Sequence, residues 1–159
     1  MLSSKNWQLV ELLREKKLTI TTAESCTGGR IASAITGVPG SSQVFPGAIV
    51  SYCDRVKHQV LGVPQELLDR YTAVSEPVAA AMAQGAARVM GTELALSATG
   101  LAGPEGDGVQ SVGTVFLGLY AEGKSMVERH VFPGDRQQVQ AAATERALEM
   151  ALIWLEQQR

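Results

Sequence analysis

Leu18-Thr19-Ile20-Thr21-Thr22-Ala23, followed at once by Glu24-Ser25-Cys26-Thr27-Gly28-Gly29, is the stretch that decides how this chain folds. Its first half is short, apolar and β-branched, the composition of a buried strand. Its second half is small and polar and ends in two glycines, after which Arg30 to Thr36 reads as a small-residue helix. A strand that runs straight into a glycine turn and a helix is the start of a β-α-β arrangement. Strands separated by helices in this way build a mainly parallel sheet.

Working outward, Trp7, Leu9, Val10, Leu12 and Leu13 lie at helical spacing over residues 4–16. Ser3 or Ser4 offers an N-cap there, and Lys16-Lys17 sit where a helix C-terminus favours cations. Downstream, 37–42 is a loop and Val44 to Tyr52 reads as a second strand, with Asp54 capping a short helix that ends near Gly62. Gln65–Tyr71 is another short helix. Ser75-Glu-Pro then opens a longer one whose inner face is Val78, Met82, Ala86 and Val89. Glu93–Thr99 is a third strand, and a glycine-rich loop runs from Gly100 to Gly113. Strands at Thr114–Tyr120 and Ser125–Phe132 follow, joined by a hairpin-like turn at Glu122-Gly123. The last helix opens at Asp135, with Val139, Ala143, Ala147, Met150 and Trp154 inward. The short connection at 121–124 implies an antiparallel pair. The expected architecture is one α/β domain over residues 1–159. It is a three-layer α/β/α sandwich on a mainly parallel sheet of about five strands, with one antiparallel strand.

Composition narrows the function classes. With 159 residues, 45% of them hydrophobic, the chain can bury about 70% of its unfolded surface. Lys and Arg number 14 against 16 Asp and Glu, a net charge of −2, which argues against a broad nucleic-acid surface. No apolar run approaches the ~20 residues of a membrane span. Met1-Leu-Ser-Ser-Lys-Asn lacks the basic and apolar regions of an export signal. Cys26 and Cys53 are too few for a disulfide scaffold, so the expected compartment is the cytoplasm.

Ligands in open α/β sheets bind beyond the carboxyl ends of strands, which singles out 23–29, 51–57 and 99–108. In the first, Gly28 and Gly29 open a helix whose free N–H groups and positive end would meet an oxyanion or a phosphate. Ser25 stands before them as a nucleophile. The alternative is that Ser25 or Thr27 is a helix cap and the glycines serve close packing. Cys26 competes as nucleophile or is packing. In the second, Tyr52 ends a strand and Lys57 lies one turn into a helix; a desolvated lysine beside a serine serves as base, and a tyrosine can relay its proton. A solvated lysine is the plain alternative. Cys53, Asp54 and His58 make a poor metal set for want of a second ligand pair. In the third, Thr99 and the loop after it offer a hydroxyl and backbone donors. Finally, Asp135 caps the last helix, while Arg136 is a cation at the unfavourable dipole end, which suits a phosphate ligand or a plain surface residue.

Thr22-Ala-Glu-Ser-Cys-Thr-Gly-Gly, Pro39-Gly-Ser-Ser, Val50-Ser-Tyr with Lys57, Val74-Ser-Glu-Pro, Thr99-Gly-Leu-Ala-Gly-Pro, Val112-Gly-Thr-Val and Gly134-Asp-Arg occur in this order along roughly residues 5–155. Taken together they resemble CinA C-terminal domains, in the stand-alone form found in nicotinamide-nucleotide amidohydrolases. The resemblance implies hydrolysis of the carboxamide of nicotinamide mononucleotide to nicotinate mononucleotide and ammonia. By position it assigns Ser25 as nucleophile, Lys57 as base and Tyr52 as its helper. Together with the site reading above, the expected substrate contacts are Thr27, Gly28, Gly29, Ser42, Thr99, Gly100 and Arg136. It further implies no metal or organic cofactor, a small-molecule nucleotide as ligand, and a homodimer or higher homo-oligomer. The chain departs from the family pattern at Cys53-Asp54, where Ser-Asn is common, at Gly47-Ala48, and in a shorter 104–112 loop with Gln110-Ser111 in place of Lys-Pro. Asp54 puts a negative charge near Lys57, which favours the protonated amine. A non-catalytic nucleotide-binding or regulatory module, and a hydrolase of another small amide, are the rival functions.

Overall fold

The buried strand is β1 (Ile20–Glu24), every residue of which is shielded from solvent. In the computed structural model, which describes residues 4–158, it lies inside a five-stranded sheet. It is parallel to β2 (Ile49–Val50) on one side and to β3 (Leu94–Gly100) on the other. Beyond β3 come β4 (Thr114–Ala121) and the edge strand β5 (Lys124–Val131), giving the order β2-β1-β3-β4-β5. β4 alone runs against the others, as expected. Because it lies between β3 and β5, it makes two antiparallel pairs where the 121–124 connection pointed to one. Glu122 and Gly123, with φ of 53° and 77°, form the tight turn of the β4–β5 hairpin.

Alternation along the strands assigns the two faces. Ile20, Leu94, Leu96, Val115 and Leu117 pack on one side with α1 (Ser4–Lys16), α2 (Arg30–Thr36) and α6 (Arg136–Gln157). Ala23, Ile49 and Ala95 pack on the other with α5 (Glu76–Met90), α4 (Gln65–Tyr71) and the segment after α3 (Asp54–Gln59). This is the three-layer sandwich. α5 lies so close to the sheet that a Cβ on Gly118 of β4 would fall 2.4 Å from Ser97 Oγ and 2.9 Å from Ala79 O. Among the described residues no helix is long and apolar enough to cross a membrane.

Several expectations shift in detail. The second strand is two residues long, not nine, because Pro46 has no N–H to give a ladder. The segment before it is instead tied to β1 through Val44 O and Gly47 O. Ser4 is already the first residue of α1, and Ser3 lies outside the described residues. Asp54 is the first helical residue of α3, the N-cap being Cys53. Ser75 is the N-cap of α5, but its hydroxyl donates back to Thr72 O. Val89, near the end of α5, is 48% exposed, and Trp154 is only partly buried. Asp135 caps α6 in a reciprocal pair with Gln138.

Candidate active site

β1 ends at Glu24, so Ser25 emerges at the carboxyl edge of the sheet, its N–H held by Ala98 O at 2.8 Å. On the neighbouring β2 edge the chain passes through Ser51, Tyr52 and Cys53 into α3, and one turn into that helix Lys57 points back under the sheet end. Its side chain is almost entirely shielded, at 1% exposure. The ammonium nitrogen lies 3.0 Å from Ser25 Oγ and 2.8 Å from Ser51 O. Burial pulls the Lys57 pKa below its ordinary 10.5, and the Asp54 carboxylate opposes this. A lysine in this state can give one N–H to Ser51 O and keep its lone pair for the Ser25 hydroxyl proton.

Ser25 and Lys57 open into a cleft of about 310 Å³ that Tyr52, Thr99, Gly100 and Arg136 also line. Gly100 closes β3 where a Cβ would sit 2.6 Å from Thr114 O. Thr99 is buried in the wall with its hydroxyl donated to Ala73 O at 2.8 Å. Arg136, the first residue of α6, spans the mouth: Nη1 donates to Gly103 O and Nη2 to Tyr52 Oη, both at 2.7 Å. Both partners are neutral acceptors, so the guanidinium charge has no counter-ion in these contacts. Tyr52 is 61% exposed and its hydroxyl accepts from Arg136 and does not meet the lysine it was expected to help.

The remaining expected contacts fall elsewhere, for clear reasons. In the first turn of α2 the backbone donors of residues 30–33 are already taken, Arg30 N by Thr27 O and Ser33 N by Gly29 O. Glu24 turns its carboxylate into it and accepts from Ile31 N and Ala32 N, both at 2.9 Å. It also accepts from Thr27 Oγ1 at 2.7 Å and Thr22 Oγ1 at 3.0 Å. Thr27 is therefore fully buried beneath the turn. Gly28 and Gly29, left-handed at φ of 58° and 99°, shape the turn, and Gly28 N is spent on Ser25 O at 3.0 Å. Ser42 lies at the far end of the molecule. α2 carries the chain back along the sheet, and Val44 just after Ser42 meets Ile20 at the start of β1. Glu24 was the residue that sequence reasoning passed over. A carboxylate inside an apolar strand, directly before a helix start, was the signal.

Cys26 is a poor rival nucleophile. Burial pushes its thiol up to about 12, leaving almost no thiolate at neutral pH. His58 faces Val63 O at 2.8 Å, and among the described residues no three His, Cys, Asp or Glu side chains come together as a metal set.

Residues 3–155 match the model of the CinA C-terminal domain. The chain belongs to that family. CinA-like proteins of Dictyoglomus turgidum and of a Geobacter species are 45% and 47% identical to it, over 89% and 94% of this chain. This CinA-type chain spans about a third of the length of those relatives, 35% in each case. Its backbone superposes on the CinA superfamily protein from Enterobacter cloacae with a TM-score of 0.94 at 31% identity, covering 98% of this chain and 92% of the other. The competence/damage inducible protein CihA from Agrobacterium tumefaciens gives 0.88 at 35% identity, covering 99% of each.

Proposed function

We propose that this CinA-family chain is an amidohydrolase that converts nicotinamide mononucleotide to nicotinate mononucleotide and ammonia by a serine–lysine mechanism. The observation that carries the reading is the 3.0 Å contact between Lys57 Nζ and Ser25 Oγ at a shielded cleft floor. In the neutral form Lys57 takes the Ser25 proton as Oγ bonds to the carboxamide carbon. The resulting ammonium returns the proton to the departing nitrogen, so ammonia leaves and an acyl ester remains on Ser25. Water, deprotonated by the same amine, then attacks the ester carbon; the C–Oγ bond breaks, the ammonium returns its proton to Ser25 Oγ, and the acid leaves as its carboxylate with its own proton passing to solvent. Arg136, whose partners are neutral, is the cation proposed to hold the nucleotide phosphate.

Ammonia release from nicotinamide mononucleotide by the purified protein tests this directly. Turnover that disappears in Ser25→Ala supports it. Tight binding of the nucleotide without ammonia release would instead assign a nucleotide-binding module, a reading that Asp54 beside Lys57 favours.

A further inference from the structure

We propose that Glu24 is a positioning residue for Ser25, fixing the nucleophile's turn from beneath without touching the substrate; the proposal rests on Ser25 being the nucleophile. Glu24 is fully shielded from solvent and takes no part in the chemistry described above. A buried carboxylate is expensive unless several donors meet it, and here four do. Oε1 accepts from Thr27 Oγ1 and Ile31 N; Oε2 accepts from Thr22 Oγ1 and Ala32 N.

The geography of those donors gives the role. Thr22 belongs to β1, Thr27 to the turn, and Ile31 and Ala32 to the first turn of α2. One side chain thus ties together the strand before Ser25, the turn after it and the helix that follows. The turn has other ties: Ser25 N to Ala98 O, Gln140 Nε2 to Cys26 O, Gly28 N to Ser25 O and Arg30 N to Thr27 O. Each of these fixes one point, and none joins the strand, the turn and the helix at once as Glu24 does, while two residues of the turn are left-handed glycines with wide conformational freedom. A displacement of about 1 Å at the nucleophile is enough to cost on the order of a hundredfold in rate.

The oxygens are both needed as acceptors. In Glu24→Gln an amide NH2 replaces one oxygen and faces an α2 backbone N–H, which cannot rotate away as a hydroxyl can. The variant is close to isosteric, yet mismatches the site at one bond. Thr27→Val removes a single donor and keeps the shape, and Thr27→Ser restores the hydroxyl.

The test measures kcat and KM for ammonia release, together with the rate at which a fluorophosphonate labels Ser25. In that reaction Oγ bonds to phosphorus, fluoride departs and Lys57 takes the proton. Labelling reads Ser25 itself, so it decides the proposal whichever amide the cleft accepts. In folded protein, Glu24→Gln should slow both kcat and labelling at least tenfold with KM within twofold of the parent. Thr27→Val should show a smaller loss of the same kind, reversed in Thr27→Ser. Parental labelling rates in Thr27→Val and in folded Glu24→Gln would overturn the proposal. So would losses confined to KM.

Discussion

Lys57 Nζ sits between Ser25 Oγ and Ser51 O, at 3.0 and 2.8 Å, with almost none of its side chain reaching water. A permanently charged group there would hold a serine hydroxyl by its oxygen. A neutral one holds it by its hydrogen. The sign of the lysine therefore decides whether the pair can start a reaction, and pH controls that sign.

Activity should accordingly rise with pH through the Lys57 pKa, which burial places below 10.5. Removing the opposing carboxylate in Asp54→Asn should move this rise to lower pH. Stability follows with a definite sign. The folded state holds this proton less tightly than the unfolded one, so the cost of burying Lys57 is full below the folded pKa. It is relieved as pH climbs toward 10.5. Lys57→Arg should be almost inactive, since guanidinium does not accept a proton. pH–rate profiles of the parent and both variants check this, and normal turnover by Lys57→Arg would remove the lysine from the role of base.

Ser25→Ala should lose activity by several orders of magnitude with Tm little changed, because a strand-end hydroxyl contributes little packing. Cys26→Ala should keep most activity, its thiol being held protonated at about 12. The two variants in one ammonia assay separate the neighbouring nucleophiles.

Tyr52 and Arg136 should behave as a pair apart from the lysine. Arg136→Ala is expected to weaken nicotinamide mononucleotide more than tenfold, from the loss of a charge-assisted contact of about 1.5–3 kcal/mol. The phosphate-free riboside should lose much less. Tyr52→Phe removes the acceptor that holds Arg136 Nη2, so it should raise KM for the nucleotide and leave the pH midpoint of kcat in place. A shifted midpoint would return Tyr52 to the lysine.

On the outer face, Arg146 donates to both oxygens of Glu128 at 2.7 and 2.8 Å and holds that carboxyl at about 2, His130 adding to the effect. The depressed pKa gives stability that is present above the ordinary 4.5 and is lost as pH falls toward 2. Both side chains are about a third exposed, so the pair is worth ~1 kcal/mol or less. Glu128→Gln should then lower Tm by at most about 2–4 °C at neutral pH, with the gap closing in acid melts.

Gly118→Ala is the expected packing failure. Its Cβ would meet Ser97 Oγ and the Ala79 carbonyl, forcing α5 off the sheet. Urea denaturation should show a loss of about 1–3 kcal/mol, typical of overpacking.

Much of this frame was legible because the signals are local. The helices at 30–36 and 65–71 are bounded by glycine and proline, and β1 by its β-branched composition, so their limits fall where they were expected to within two residues. Ser25 and Lys57 were readable as candidates since Ser25 follows the end of β1 and Lys57 lies one turn into the helix after β2, both at the carboxyl edge where ligands of open α/β sheets bind. What escaped depended on through-space partners. The bond from Arg136 to Tyr52 joins residues 84 apart in sequence, and no periodicity reports it. Ser42 was misplaced because family order along the chain says nothing about which end of the sheet a loop reaches. Glu24 escaped because the four donors that meet its carboxylate come from Thr22, Thr27, Ile31 and Ala32, and no local pattern shows them converging.

The single reversed strand has one more outcome. Because β4 runs back against β3, the stretch 101–113 leaves and re-enters the sheet at the same rim. Its base is knotted by Leu101 N to Thr114 O and Gly113 N to Leu101 O, at 2.9 and 2.7 Å. Insertions or deletions between those two ties leave the β3–β4 register untouched, yet Leu101, Ala102, Gly103 and Glu105 from this stretch all border the cleft. The fold thereby keeps two tasks on separate segments. One segment is free to be rewritten to choose what enters, while the strands holding Ser25 and Lys57 keep their alignment.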